Sequence, residues 1–255
     1  MPASWQDIQR EATALVASAA DVGATVRVVG SAGIRMHCAQ ASRIMDEIDR
    51  PAKDLDLVVR AADRRLLRSI LEASGYEVDR DLLVAMEGQR YAFHHPESGV
   101  DVDVFVEKLE FCHTIELAGR WGLHDMTIPL EDLLLQKLQV HEPTHSDLID
   151  SAVLLASHAV GTGGSEEIDP NYVGSVLGRN WGFHRDAVAN LERVKDTVGA
   201  EVVLPADRVS CVKDAVAQLF EAIESAKKTM SWKMRARVGN RAQWWDDVDE
   251  REDTY

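Results

Sequence analysis

The chain has 255 residues, of which 45% are hydrophobic, and its formal net charge is −15. A chain of this length and composition can bury one or two sizeable hydrophobic cores, whereas its acidity opposes broad, salt-driven binding to nucleic acids. No apolar run approaches the ~18 residues of a membrane helix and the N-terminus has no signal-peptide pattern, so we predict a cytoplasmic protein that contacts no membrane.

Residues 1–128 mix helical and strand patterns and are predicted to form the first domain. The expected elements, in chain order, are an opening amphipathic helix, a strand at 25–29, a helix near 32–47, a strand at 54–59, a helix at 62–74, and strands near 76–79, 90–94, 100–106 and 113–118. Because a helical pattern follows this mixed region, we predict an α+β fold.

A turn of small residues, Gly30-Ser31-Ala32-Gly33, joins the first predicted strand to the next helix. Backbone N–H groups can approach a ligand closely at such a turn, and the start of the helix adds a positive dipole. The hydroxyl of Ser31 would bind the same anion. An ordinary strand-to-helix turn is the alternative, and the glycine spacing matches neither the dinucleotide fingerprint nor the P-loop.

Asp54 and Asp56 flank one leucine at the start of the strand predicted at 54–59. Residues i and i+2 of a strand point to the same face, so both carboxylates should project together. Like charges this close resist joint ionisation. A divalent cation would relieve the repulsion, and oxygen ligands suit Mg²⁺ or Mn²⁺. An exposed strand face without a metal is the alternative.

Asp101 and Asp103 alternate with valines in the strand predicted at 100–106 and share one face of it. If this strand pairs with the strand that carries Asp54 and Asp56, a third carboxylate reaches the same cation. Cysteine and histidine offer no comparable pattern, because the three cysteines are unpatterned and the nine histidines show no metal-binding spacing.

Residues 129–255 have a helical pattern and are predicted to form a second, all-helical domain. Helices are expected after Pro129, after residue 145, and at 171–177, 185–198 and 209–228, with a glycine-rich connection at 161–165. Trp181, between two of these helices, is expected to anchor a packed loop.

Three charged residues of this helical half are candidate site residues. Lys137 lies on a mostly apolar helix, from which it would either extend to water or neutralise phosphate charge that grows in a transition state. Asp147 and Asp150 share a helix face, where Asp147 would orient an attacking hydroxyl or accept its proton. Capping of that helix by Ser146 or Asp147 is the alternative.

The segment 227–241 carries six basic residues and no acidic one, and Trp232 and Met234 interleave with them. This pattern suits contact with phosphates combined with base stacking. The last ten residues reverse the charge with six acids and a single arginine. A basic helix end followed by a solvated acidic tail, which folds back on it, is the alternative.

Gly30-Ser31, Asp54-Leu-Asp56 and Asp103 together resemble the motifs of the nucleotidyltransferase superfamily typified by DNA polymerase β. That superfamily has a Gly-Ser or Gly-Gly turn, then Asp-x-Asp on a strand, then one acid on a later strand. The resemblance implies a small mixed β-sheet core with flanking helices. It also implies that the three acids bind the metal and that Gly30 and Ser31 bind the nucleotide.

Over roughly residues 20–195 the chain further resembles the AbiEii-type toxin branch of this superfamily. In that branch one helix carries a lysine, and the next helix starts with basic-Asp-x-x-Asp-apolar. Lys137, Asp147 and Asp150 occupy these positions, and Ser146 replaces the basic residue. The resemblance implies that Lys137 and Asp147 take part in catalysis and that Lys137 and Asp150 bind the nucleotide.

The implied reaction moves a nucleoside monophosphate from an NTP to an acceptor hydroxyl, with Mg²⁺ or Mn²⁺ as cofactor and Asp103 rather than Asp101 as the third metal ligand. The acceptor would be an RNA 3′ end such as that of tRNA, a protein side chain, or a small molecule such as an aminoglycoside antibiotic. A toxin of this kind would have an antitoxin protein as partner. A catalytically inactive binding module of the same fold is the alternative.

Overall fold

The computed structural model describes residues 3–37, 39–48, 54–85 and 90–247. Within these ranges the chain forms a five-stranded sheet, a two-stranded sheet and a series of helices, so the predicted α+β class is confirmed. Most of the acidic tail, residues 248–255, lies outside the described residues, and so does Cys38.

The five-stranded sheet is small and mixed, as expected. Its strands are β1 (Val26–Val29), β2 (Leu55–Val59), β3 (Glu77–Val78), β4 (Arg90–His94) and β5 (Asp101–Val106). They lie in the order β1-β2-β5-β4-β3, in which only the β2–β5 pair is parallel. Strands β6 (Lys108–Glu110) and β7 (Thr114–Glu116) form a separate antiparallel hairpin.

Helices flank the sheet and then continue to the end of the described chain. The first five are α1 (Trp5–Asp21), α2 (Gly30–His37), α3 (Ala39–Glu47), α4 (Arg64–Ala73) and α5 (Arg80–Ala85). The later ones are α6 (Leu130–Leu138), α7 (His145–Ser157), α8 (Pro170–Leu177), α9 (Trp181–Thr197), α10 (Ala206–Ser225) and α11 (Met230–Val238). None of the helices in the described ranges is long and apolar enough to cross a membrane.

Each face of the sheet is covered by a different hydrophobic core. On one face, alternate residues such as Leu57 and Val104 pack with α1 and α4. On the other face, Val29, Val58 and Phe105 join a larger core that extends through α6, α7, α9 and α10. Full burial of one such side chain contributes about 1.5–3 kcal/mol. Because this larger core contains residues from both sides of position 128, the two predicted domains share it, and their boundary stays a prediction.

One local prediction differs from the structure, and three short elements are not predicted. Trp181 does not lie in a loop but begins α9, because the Asn180 side chain caps the helix by accepting a hydrogen bond from the Phe183 amide at 3.1 Å. Helices α5 and α11 and strand β6 are not expected from the sequence as separate elements. They are short, and their sequences show no clear periodicity of 2.0 or 3.6 residues.

Candidate active site at the start of strands β2 and β5

The sheet topology brings the predicted acids to one face. Asp56 on β2 is paired in register with Asp103 on the parallel strand β5 and with Val29 on the antiparallel strand β1. Side chains of residues paired across neighbouring strands lie on the same face. Asp56 and Asp103 are both partly buried there, at the edge of the larger core.

Gly30 closes over Asp56. It follows β1 directly and has a φ of +65°, in the left-handed region that favours glycine. A Cβ atom at this position would overlap with the Oδ2 atom of Asp56. The Gly30 amide donates a hydrogen bond to Oε1 of the buried Gln136 at 2.8 Å. The amide predicted to bind phosphate is therefore engaged by a side chain, and the partly buried Ser31 follows it in the first turn of α2.

The four aspartates differ in exposure. Asp54 is exposed immediately before β2, and the side chain of Asp101 is 66% exposed with its Oδ1 atom 2.8 Å from Nδ1 of His94. The Asp103 side chain is only 17% exposed. Burial and register therefore favour Asp103 over Asp101 as the acid that acts together with Asp56.

Electrostatics at Asp56 favour a bound cation. Burial first, and then the charges of Asp54 and Asp103, raise the pKa of Asp56 well above its usual range, although Lys137 and Arg90 oppose this shift. A divalent cation would counter both causes of the shift. It would interact with the buried carboxylate in place of water, and it would compensate the negative charges of Asp54 and Asp103. Carboxylate oxygens are ligands that Mg²⁺ and Mn²⁺ prefer.

Asp103 has one oxygen engaged and one available. Its Oδ2 atom accepts a hydrogen bond from the Arg90 guanidinium at 2.7 Å. Its Oδ1 atom is buried and has no hydrogen-bond partner among the described residues. A buried oxygen of this kind is costly unless it binds a donor or a cation. The chemistry of the donors therefore fits a hard cation.

The spacing of the carboxylates is wider than that of a loaded metal site. In the described ranges, the set of three potential ligands whose atoms all lie within 4.8 Å of one another is His37, His124 and Glu166, which does not include the aspartates. Arg90 holds Asp103 by its ion pair. A cation at the acids would therefore require one carboxylate to rotate toward the others.

The Lys137 side chain does not extend to water, because Asp147 and Asp150 hold it in ion pairs. Its Nζ atom lies 3.1 Å from Oδ1 of Asp147 and 2.9 Å from Oδ2 of Asp150, and its side chain is 14% exposed. Burial lowers the pKa of Lys137, but the charges of Asp150 and Asp147 outweigh this and raise the pKa above its usual value. Lys137 is therefore a permanent positive charge, close enough to Asp56 to lower its pKa.

Asp147 and Asp150 have different surroundings. Asp147 completes a capping box with Thr144, so the N-cap of α7 is Thr144 and neither Ser146 nor Asp147. Burial would raise the pKa of Asp147, but Lys137 and Thr144 lower it. A carboxylate with a lowered pKa is a weak proton acceptor. Asp150 is fully buried, so it contacts Lys137 and does not face the surface.

No protein-family model matches the sequence, and a search of curated proteins finds no significant match. Among solved structures, the fold is similar to that of an antigenic nucleotidyltransferase-like protein from Paracoccidioides brasiliensis. That alignment has a TM-score of 0.47 and 12% sequence identity, and it covers 90% of this chain and 97% of that chain. The functional interpretation therefore rests on the residues of the site.

Sequence reasoning misses two residues of the site, Arg90 and Gln136. Arg90 lies in a strand that the sequence predicts, but its position beside Asp103 depends on the pairing of β4 with β5. Gln136 lies in a leucine-rich helix and reaches Gly30 only because α6 packs against α2. Neither contact has a signal in the local sequence.

The basic segment is partly turned inward. The ring of Trp232 in α11 and the ring of His184 in α9 have centroids 5.2 Å apart. Arg235 donates hydrogen bonds to the carbonyls of Gly239 and Ala242 at 2.8 and 2.7 Å. The exposed residues of this helix include Lys233, Met234 and Arg237.

Trp244, just before the acidic tail, and Asp246, at its described start, contact α9 and the turn between β6 and β7. The Asp246 amide donates a hydrogen bond to the Cys112 carbonyl at 3.1 Å. The Trp244 indole donates one to Oδ1 of the buried Asp186 at 3.1 Å.

Proposed function

We propose that this protein is a metal-dependent nucleotidyltransferase. It would transfer a nucleoside monophosphate from an NTP to an acceptor hydroxyl. The acceptor oxygen forms a bond to the α-phosphorus and loses its proton to water, and the bond between that phosphorus and pyrophosphate breaks. The observation that carries the proposal is the register pairing of Asp56 with Asp103 beneath a glycine turn that admits no side chain. Such a turn brings the backbone at the start of α2 close to a carboxylate of the pair.

Asp54, Asp56 and Asp103 would hold Mg²⁺ or Mn²⁺. The bound cation would lower the pKa of the acceptor hydroxyl and stabilise the charge on the leaving pyrophosphate. Asp56 would be the central ligand, because its strand lies between β1 and β5, and because burial and neighbouring charges raise its pKa. Arg90 would release Oδ2 of Asp103 and could then contact a phosphate.

The start of α2 and Lys137 would bind the triphosphate. Ser31 would donate its hydroxyl, and the amides of α2 that follow Gly30 would add the positive end of the helix dipole. The Lys137 ammonium would neutralise phosphate charge as it grows in the transition state. Asp150 would support nucleotide binding through Lys137, because it is fully buried. Asp147 would orient the acceptor rather than remove its proton, since its pKa is lowered.

The acceptor class that the chain favours is RNA, with a 3′ end such as that of tRNA as the reacting hydroxyl. Support comes from α11, where Lys233 and Arg237 are exposed on an otherwise acidic protein. A protein side chain is the second acceptor class and a small molecule such as an antibiotic is the third. If the enzyme is a toxin, an antitoxin protein would be its partner.

A second candidate function is that of a catalytically inactive module that binds a nucleotide or a partner protein. The Arg90–Asp103 ion pair favours it, because an arginine here supplies part of the positive charge that a metal would bring. The wide spacing of the carboxylates favours it as well.

Incubation of the full chain with each labelled NTP, Mg²⁺ and a total-cell lysate tests the proposal. We expect one NTP to label an acceptor, with loss of labelling in Asp56→Asn and Asp103→Asn. Asp101→Asn is the matched control, because this exposed acid on the same strand should be dispensable. Nucleotide binding without labelling would favour the inactive module. Equal labelling by Asp56→Asn and the parent protein would exclude the proposed site.

A further inference from the structure

Three histidines and one glutamate meet at the end of α2 that is opposite Gly30. His37 ends α2, His124 lies in the loop that precedes α6, His158 follows α7 and Glu166 lies in the loop that precedes α8. The ring centroids of His124 and His158 are 4.5 and 5.4 Å from that of His37. An eight-residue helix separates this cluster from the acidic site by about 10 Å.

The donor atoms of three of these residues have the spacing of metal ligands. His37, His124 and Glu166 each offer an atom within 4.8 Å of the other two. The Nε2 atom of His37 lies 3.7 Å from Oε1 of Glu166. A tetrahedral zinc ion with bonds of about 2.0–2.1 Å places its donor atoms about 3.3 Å apart. Adjacent donors of an octahedral ion would be closer, at about 2.9 Å.

Hydrogen bonding prepares His37 as a ligand. Its Nδ1 atom lies 2.9 Å from the Thr127 hydroxyl. When that hydroxyl accepts, Nδ1 carries the proton and Nε2 carries a lone pair that faces Glu166. The Nε2 atom is buried and has no hydrogen-bond partner in the described part of the chain. Metal-binding histidines commonly donate their second ring N–H in this way.

We infer that His37, His124 and Glu166 form a zinc site. Two imidazoles and one carboxylate are a ligand set that Zn²⁺ accepts, whereas Mg²⁺ prefers oxygen ligands alone. His158 packs against His37, and its Nδ1 atom is 3.0 Å from the Glu166 carbonyl.

The site has a structural consequence. The ion cross-links the end of α2 to two loops that are remote in sequence. The loop of His124 also forms a bridge between Thr127 and Val28 of β1. Zinc therefore fastens the outer edge of the sheet to the helical region.

Titration of the metal-stripped full chain with Zn²⁺, monitored by calorimetry, tests the inference. Glu166→Gln is the first variant, because that side chain is 70% exposed and its change carries little risk for the fold. His37→Gln is the second. Glu167→Gln and His184→Gln are matched controls, since the first changes the neighbouring acid and the second changes a partly buried histidine outside the cluster. All titrations are repeated in Asp54→Asn/Asp56→Asn to separate this site from the acidic one.

We expect one tightly bound Zn²⁺ per chain, and affinity that falls at least ~10-fold in Glu166→Gln and His37→Gln but not in the two controls. With Co²⁺ as probe, we expect the visible absorption of a four-coordinate ion. Equal Zn²⁺ affinity of Glu166→Gln and the parent would overturn the inference. Loss of the ion in Asp54→Asn/Asp56→Asn, or a six-coordinate Co²⁺ spectrum, would overturn it as well.

Discussion

The two ends of α2 lie beside polar groups of opposite kinds, and Asp56 at one end and His37 at the other are both partly buried. At Gly30 the neighbours are carboxylates, and at His37 they are mainly imidazoles. Burial raises the pKa of Asp56, with Asp54 and Asp103 adding to the shift, whereas burial, with His124 and His158 adding to it, lowers the pKa of His37 to about 4. Both groups thus favour their neutral form.

The consequence differs because an acid becomes neutral by keeping a proton and a histidine by losing one. At neutral pH His37 therefore offers a lone pair without any compensating charge. At the acidic end, a strong positive charge must be present before Asp56 loses its proton and both of its oxygens can act as ligands. The first end suits a cation that accepts nitrogen ligands, and the second suits a hard cation accompanied by a phosphate. Four predictions test this contrast, from the largest expected effect to the smallest.

The largest effect should follow Lys137→Ala, which removes a buried positive charge that acts on Asp56. Loss of its ion pair with the fully buried Asp150 should lower the free energy of unfolding by about 3–5 kcal/mol. NTP turnover, measured where the variant is folded, should fall ~10–1000-fold. Lys137→Arg should retain more of both. Lys195→Ala is the control, because its partner Glu192 is exposed, and equal effects of the two alanine variants would contradict the role of Lys137.

Gly30→Ala should be the next most damaging change. The left-handed backbone alone should cost about 1–2 kcal/mol, and the overlap with Asp56 should add about 1–3 kcal/mol. Gly23→Ala isolates the backbone part, since Gly23 also has a positive φ but no neighbouring atom within 4 Å of the place that a methyl group would occupy. Denaturant unfolding measures the loss of stability in each of the two variants. In an Asp56→Ala background the added part should disappear, and its persistence there would show that Asp56 is not the cause.

Mg²⁺ with an NTP should stabilise the protein, by about 2.7 kcal/mol when the ligand is at 100 times its Kd. Asp54→Ala/Asp56→Ala should abolish the rise in Tm and leave the metal-free protein equally stable or slightly more stable, because like charges are removed. His37→Gln should keep the rise in full. A cation-dependent shift that survives in the double aspartate variant would refute the assignment of the metal ligands.

The smallest effect concerns α11 and the acceptor. Lys233→Gln/Arg237→Gln changes two exposed charges, whereas Arg235 is kept because it binds backbone carbonyls. If the acceptor is RNA, transfer should weaken and the slope of its salt dependence should fall by about one unit for each phosphate that the variant no longer binds. The charge-matched control is Arg43→Gln/Lys213→Gln, and NTP binding should be the same in all variants. Salt-insensitive labelling of a protein would instead indicate a protein acceptor.

The elements and acids that can be predicted from the sequence are those with local signals. The alternation of Asp101 to Val106 predicts β5, and the spacing of Asp54 and Asp56 predicts a shared face. The outcome for Gly30 is mixed. Its place at the turn follows from the sequence, but the hydrogen bond to Gln136 does not, since it depends on how α6 packs against α2.

The histidine cluster cannot be recognised from spacing. Its members come from three regions that are remote in sequence, around residues 37, 124 and 158–166, and rules for metal-binding motifs use ligands that are close along the chain. The same reason explains why the role of Arg90 escapes prediction. Such contacts arise only when tertiary packing is known, whereas helices and strands follow from periodicity within a few residues.

The parallel pairing of β2 with β5 also determines when the acidic site forms during folding. Asp56 and Asp103 are partners in register but lie 47 residues apart in the sequence. Closing a loop of that length costs on the order of 3 kcal/mol of chain entropy, and parallel, non-local pairing is slow. The carboxylates of Asp56 and Asp103 therefore repel one another only after β2 and β5 have paired. Cations at this site should slow unfolding rather than accelerate folding, because Asp56 and Asp103 form no common site until these two strands meet.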